Sequence, residues 1–166
     1  IDWIVITGML VGGLPFMLYL QAVRGNPLAL LQDSQVRCFL ALCLISAALM
    51  TTWIFFRLDA PISTALRYAT FSTTSIITGT GFTTTPFDNW GTFPVTLLFF
   101  LMFVGGCTGS TTGGIKIFRL QVLVNSIRGE LSHFVRPHMI SAPRFNGEPV
   151  PTPIIRAVRV FFFVFI

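Results

Sequence analysis

Residues 36–56 contain neither glycine nor proline and, past Arg37 at the mouth of the run, no charged side chain. A helix over this run, rising about 1.5 Å per residue, covers about 30 Å, which is the hydrocarbon thickness of a bilayer. Inside lipid a backbone must satisfy its own amides and carbonyls, and only a helix or a closed barrel does so. The run therefore predicts a spanning helix, and the rest of the chain has to pack beside it. Composition agrees: 53% of the residues are hydrophobic, 10% are charged and the mean hydropathy is +0.78, far from a soluble domain. We read an all-α integral membrane protein.

Residues 1–23 are also apolar, but Gly8, Gly12, Gly13 and Pro15 interrupt them, as in a membrane helix that is closely packed or locally broken. The sequence opens inside this run without Met, basic region or cleavage pattern and stops inside another apolar run, so it reads as a piece of a longer protein. Residues 24–35 form a polar linker, placed on the cytoplasmic side by Arg24 and Arg37. After the spanning run, Asp59 is suited to cap a new helix and Pro61 to sit in its first turn. That helix, over 61–77, is rich in Ser, Thr and Ala, carries Arg67, and is too short and polar to cross lipid. It dips in and stops, aiming the partial negative charge of its C-terminus at the membrane interior, where a dehydrated cation is stabilised. Arg67 is expected to pair with an outer acid, Asp59 or Asp88.

A strand over 78–82, Thr78-Gly79-Thr80-Gly81-Phe82, follows at that point. Gly79 and Gly81 tolerate left-handed dihedrals, which lets the backbone of Thr78, Gly79, Thr80 and Gly81 turn its carbonyls to one side and replace water around a cation. Irregular backbone at membrane depth is tolerated only inside protein or along a watery path. The chain returns outward with Trp90 at the interface and re-enters as a helix over 91–128. Between 105 and 114 that helix is broken by five glycines in ten residues: Gly105, Gly106, Gly109, Gly113 and Gly114, with Ser110, Thr111 and Thr112 among them. The break falls about halfway to two-thirds across the bilayer, beneath the strand, where hydroxyls and loosened amides suit a gate. Lys116 and Arg119 mark the inner interface, with a regulatory role as the alternative. Residues 129–151 form a basic cytoplasmic loop that includes His133, Arg136, His138 and Arg144, and 152–166 begin another spanning helix.

The net charge of +5 is spread over connecting segments with no nucleic-acid motif, so no nucleic-acid partner is expected. Cys38, Cys43 and Cys107 lack metal-ligand spacing, and the six acidic residues are scattered. No nucleophile with a base is legible, so the chain does not read as an enzyme and calls for no cofactor.

Together, Thr78-Gly79-Thr80-Gly81-Phe82-Thr83-Thr84 and the Gly-rich tract 105–114 with Ile115 and Lys116 resemble the Trk/Ktr/HKT superfamily of potassium transporters, and within it the bacterial TrkH branch. The resemblance implies that 36–128 form one K+-channel-like repeat of a four-repeat pseudo-tetramer. This repeat would be the third, with 1–23 closing the second and 152–166 starting the fourth. It further implies potassium uptake across the bacterial inner membrane by a multi-pass protein, with K+ held at Thr78, Gly79, Thr80 and Gly81 and the 105–114 loop as gate. Implied partners are the other repeats of the same chain, a second copy in a homodimer, and a cytoplasmic nucleotide-binding TrkA-like subunit. Carbonyl chemistry alone supports cation selectivity without choosing potassium. The residues by themselves also admit a cation-coupled secondary transporter with discontinuous helices, or a non-conducting membrane scaffold in which the Thr-Gly tracts only pack helices.

Overall fold

The computed structural model describes residues 1–26, 28–58, 60–86, 90–135 and 144–165, the side chains of 132–135 and 144 lying outside that description. Among the described residues there are eight helices and a hairpin: α1 (Asp2–Gly12), α2 (Phe16–Val23), α3 (Ala29–Gln32), α4 (Ser34–Leu58), α5 (Ile62–Thr78), α6 (Thr92–Met102), α7 (Ile117–Val135), β1 (Arg144–Phe145), β2 (Glu148–Pro149) and α8 (Thr152–Phe165). They form two compact units, residues 1–117 and 118–166.

In the first unit, α4 contains the apolar run and is long enough to span a bilayer by itself. Asp33 starts it, because its Oδ1 accepts the amides of Gln35 at 2.8 Å and Val36 at 3.3 Å. Removing that cap with Asp33→Ala should destabilise the unit by about 1 kcal/mol, read as a lowered thermal midpoint of the full-length protein in detergent. Val36, Phe39, Cys43, Ala47, Met50 and Ile54 make one buried stripe at helical spacing. Leu44, Ile45, Leu49 and Phe56 stay exposed, as a helix needs on a face turned to lipid.

Helix α5 packs mainly on α4, then on α1 and α6. Its C-terminal half is buried nearly all round: Phe71, Ser72, Thr73, Thr74, Ser75, Ile77 and Thr78 are covered. Pro61 precedes the first turn instead of occupying it, with extended dihedrals and no side-chain cap. The expected cap, Asp59, lies outside the described residues, as do Asp88, Arg136 and His138. Arg67 pairs at 3.3 Å with Asp2, while the two acids expected of it, Asp59 and Asp88, are outside the described residues. The reason is tertiary: α1 lies along α5 and brings a residue far away in sequence to its side. The Arg67 side chain is 41% exposed, so the pair contributes no more than about 1 kcal/mol.

The first apolar segment is broken, not straight. Pro15 has no amide to continue a helix, and α1 and α2 meet at 96°. Trp90 is buried, and its carbonyl accepts Nε1–H of Trp53 at 2.9 Å.

The second unit is built on Val122, Val150 and Val158, with Phe118, Leu123, Phe145, Ile155 and Phe162 around them. The hairpin pairs Arg144 with Pro149 and Phe145 with Glu148. Arg159 binds Glu130 and Ser126. Part of the segment read as a loop, 129–135, continues α7.

Candidate functional site

The end of α5 determines what the strand after it offers. Thr78 is still helical, its hydroxyl donating to Thr74 O at 2.7 Å, so the helix takes the first residue of the expected strand and the segment after it is irregular, not a β-strand. Gly79 then turns left-handed, at φ 70° and ψ 20°. The amides of Gly79, Thr80 and Gly81 fold back, the first onto Ile76 O at 3.1 Å and the others onto Ser75 O at 3.1 and 3.5 Å. In a trans peptide the carbonyl points opposite to the amide that follows it, and no peptide here is cis. The carbonyls of Thr78, Gly79 and Thr80 therefore point away from α5.

Two hydroxyls hold the rest. Ser75 Oγ donates to Phe82 O at 2.7 Å, which occupies that carbonyl and ends the set. Thr80 Oγ1 reaches Met9 Sδ at 3.0 Å, linking the strand to α1. Gly81 is also left-handed, at φ 72°. Residues 79–84 are exposed in this chain, while the C-terminal half of the helix that feeds them is buried.

After α6, whose eleven residues rise about 16 Å, the Gly-rich segment forms a loop closed at its neck. Ile115 N donates to Phe103 O and Gly105 N to Ile115 O, both at 2.9 Å, and Ile117 N donates to Gly106 O at 3.1 Å. Val104 and Ile115 run parallel there, so the chain leaves the loop in the direction in which it entered. Gly105 and Gly106 are required by contact: a Cβ on Gly105 would lie 1.9 Å from Gly113 O, and one on Gly106 would lie 2.7 Å from Gly13 O.

The loop is docked on the other break in the unit. Cys107 N donates to Gly13 O, Thr111 N to Gly12 O, and Phe16 N to Gly109 O, at 3.1, 3.3 and 3.1 Å. Each interruption thus supplies partners to backbone groups that the other leaves open. The buried Gln35 of α4 accepts Thr108 N through Oε1 at 2.9 Å. The two motifs meet at Gly79, where a Cβ would lie 3.8 Å from Gly113 N.

Lys116 and Arg119 take different roles. Lys116 turns back into the loop, donating to Thr112 O, to Thr112 Oγ1 at 3.0 Å, and to Ser110 O and Oγ, each at 3.5 Å. Arg119 lies in the second unit with its guanidinium 3.9 Å from the centre of the Phe161 ring. Sequence reasoning missed Gln35, Ser75 and the Gly12–Phe16 corner as parts of this site. Only Gln35 carried a local signal, an uncharged polar residue at the mouth of a spanning run and on its buried stripe.

The family model "TrkH: Cation transport protein" matches residues 1–166. The Trk system potassium uptake protein TrkI of Halomonas elongata is 39% identical over 157 residues, which are 95% of this chain and 32% of the relative. The Trk system potassium uptake protein TrkH of Salmonella typhimurium is 30% identical over 165 residues, 98% of this chain and 34% of the relative. The crystal structure of the potassium transporter TrkH from Vibrio parahaemolyticus superposes with a TM-score of 0.91 at 30% identity, over 98% of this chain and 36% of that one. The chain spans about a third of the length of the curated relatives it matches.

Proposed function

Because this chain belongs to the TrkH family of cation transport proteins, we propose that it supplies one pore repeat, the third of four, of a potassium-uptake protein. That protein crosses the bacterial inner membrane several times. In this reading K+ is held by the backbone of Thr78, Gly79, Thr80 and Gly81, completed by the strands of the other repeats, and passes a gate formed by 105–114. The observation that supports it is the arrangement of α5: three carbonyls directed away from the helix, at its negative end, with the Gly-rich loop touching the same turn at Gly79. A homodimer of the full-length protein and a TrkA-like nucleotide-binding subunit on its inner face are the partners that family membership suggests.

The test is Gly81→Ser in the full-length protein, with membrane insertion checked. Serine in the left-handed region costs about 1–2 kcal/mol. Potassium uptake at limiting potassium should fall by about tenfold, with preference over sodium reduced. Unchanged uptake would leave the glycines with a packing role only. Saturable uptake coupled stoichiometrically to a second ion, without single-channel currents, would favour alternating access over a pore.

A further inference from the structure

The donor set around Lys116 is that of a small cation site. Within 3.5 Å of its ammonium lie two backbone carbonyl oxygens and two hydroxyl oxygens of Ser110 and Thr112. These oxygens are neutral, and among the described residues no group of three His, Cys, Asp or Glu could hold a metal. Divalent cations are usually held with carboxylates, whereas neutral carbonyls and hydroxyls suit a monovalent one.

Proton counting fixes the direction of the network. Ser110 has one hydroxyl proton, and it goes to Cys107 O at 2.6 Å. The 2.8 Å bond between Ser110 Oγ and Thr112 Oγ1 is therefore donated by Thr112. Thr112 Oγ1 in turn accepts Gly106 N at 2.8 Å and the Lys116 ammonium at 3.0 Å. Both hydroxyls are fully used, and the chain of donors runs from the ammonium through Thr112 and Ser110 to Cys107 O, while Gly106 N of the neck donates into it at Thr112. A half-buried charge needs such partners, and the loop needs the charge to close its network.

We propose that Lys116 is a tethered monovalent cation that fills a four-oxygen site inside the loop and holds the loop closed, in competition with K+ for the same oxygens. This rests on the reading of 105–114 as the gate. Lys116 is a positioning residue: it acts on the loop, and the loop acts on the ion path.

The experiment is hydrogen exchange of peptides covering 105–114 in the full-length protein, in N-methylglucamine buffer and in the same buffer with K+ or ethylammonium. In Lys116→Met, which keeps a long side chain without its charge, the loop amides should exchange at least about tenfold faster. Added K+ or ethylammonium should restore protection, and the wild type should be protected in all three buffers. Lys116→Gln, which still donates, should lie between them, and unchanged protection of 62–78 verifies folding in both variants. Wild-type protection in Lys116→Met would overturn the proposal, and so would faster exchange that neither cation slows. Exchange is read without transport, so a failed Gly81→Ser test would defeat the pore reading while leaving the Lys116 site standing or falling on its own result.

Discussion

Gly105→Ala is expected to open the loop and raise rubidium efflux from vesicles containing the full-length protein by tenfold or more. The added methyl would sit 1.9 Å from Gly113 O, 3.0 Å from Gly113 C and 3.3 Å from Gly114 C, all of them backbone atoms with no rotamer to escape into. Gly105 itself is not left-handed, so alanine brings no dihedral penalty and the effect is one of contact. The neck must part, with loss of the Gly105 N to Ile115 O bond and its neighbours. Overpacking costs about 1–3 kcal/mol and each lost bond about 1 kcal/mol, together about 2–4 kcal/mol. Since 1.4 kcal/mol is about tenfold in an equilibrium constant, the closed state loses its majority if its margin is of ordinary size. Efflux equal to wild type, with normal insertion, would mean that the loop does not obstruct the path.

Gly79→Val is expected to do the reverse and abolish uptake. Gly79 caps α5 at φ 70°, a region that costs an ordinary L-residue about 1–2 kcal/mol and a β-branched one more. Valine would pull the peptide out of that well, breaking the 3.1 Å bonds of Gly79 N to Ile76 O and Thr80 N to Ser75 O. The carbonyls of Thr78, Gly79 and Thr80 would then rotate from their common direction. Gly79→Asn, which adopts the left-handed region more readily, should retain several times more rubidium uptake than valine. Equal loss in both variants would show that side-chain volume, not dihedral angle, is what the position forbids.

The elements that carry their own periodicity or composition were legible. Residues 36–56 lie within α4, and the tract at 105–114 falls between α6 and α7, because an unbroken apolar run and a cluster of glycines act locally. The break at Pro15 was half legible: an interruption was foreseen, its 96° bend and its occupant were not. That Gly12, Gly13 and Phe16 exchange hydrogen bonds with Cys107, Thr111 and Gly109 has no signature in either segment, since nearly a hundred residues separate them. Arg67 shows the same limit: nothing in the sequence around it points to Asp2, which packing brings to its side. Thr78, whose backbone is expected to face the ion, is the last residue of α5, with its hydroxyl bound to Thr74 O.

The mutual docking of the two helix breaks bears on how the protein is made. A corner such as Gly12–Phe16, released alone into lipid, would expose amides and carbonyls costing several kcal/mol each, and the loop at 105–114 would do the same. Neither segment is a stable guest of the bilayer until the other arrives. During synthesis at about 5–20 residues per second, the corner has to wait about 5–20 seconds for the loop. Through that interval it needs shelter, in the insertion machinery or in water at the membrane surface. Biogenesis of this region is therefore a coordinated event over more than a hundred residues, not the release of one finished helix after another.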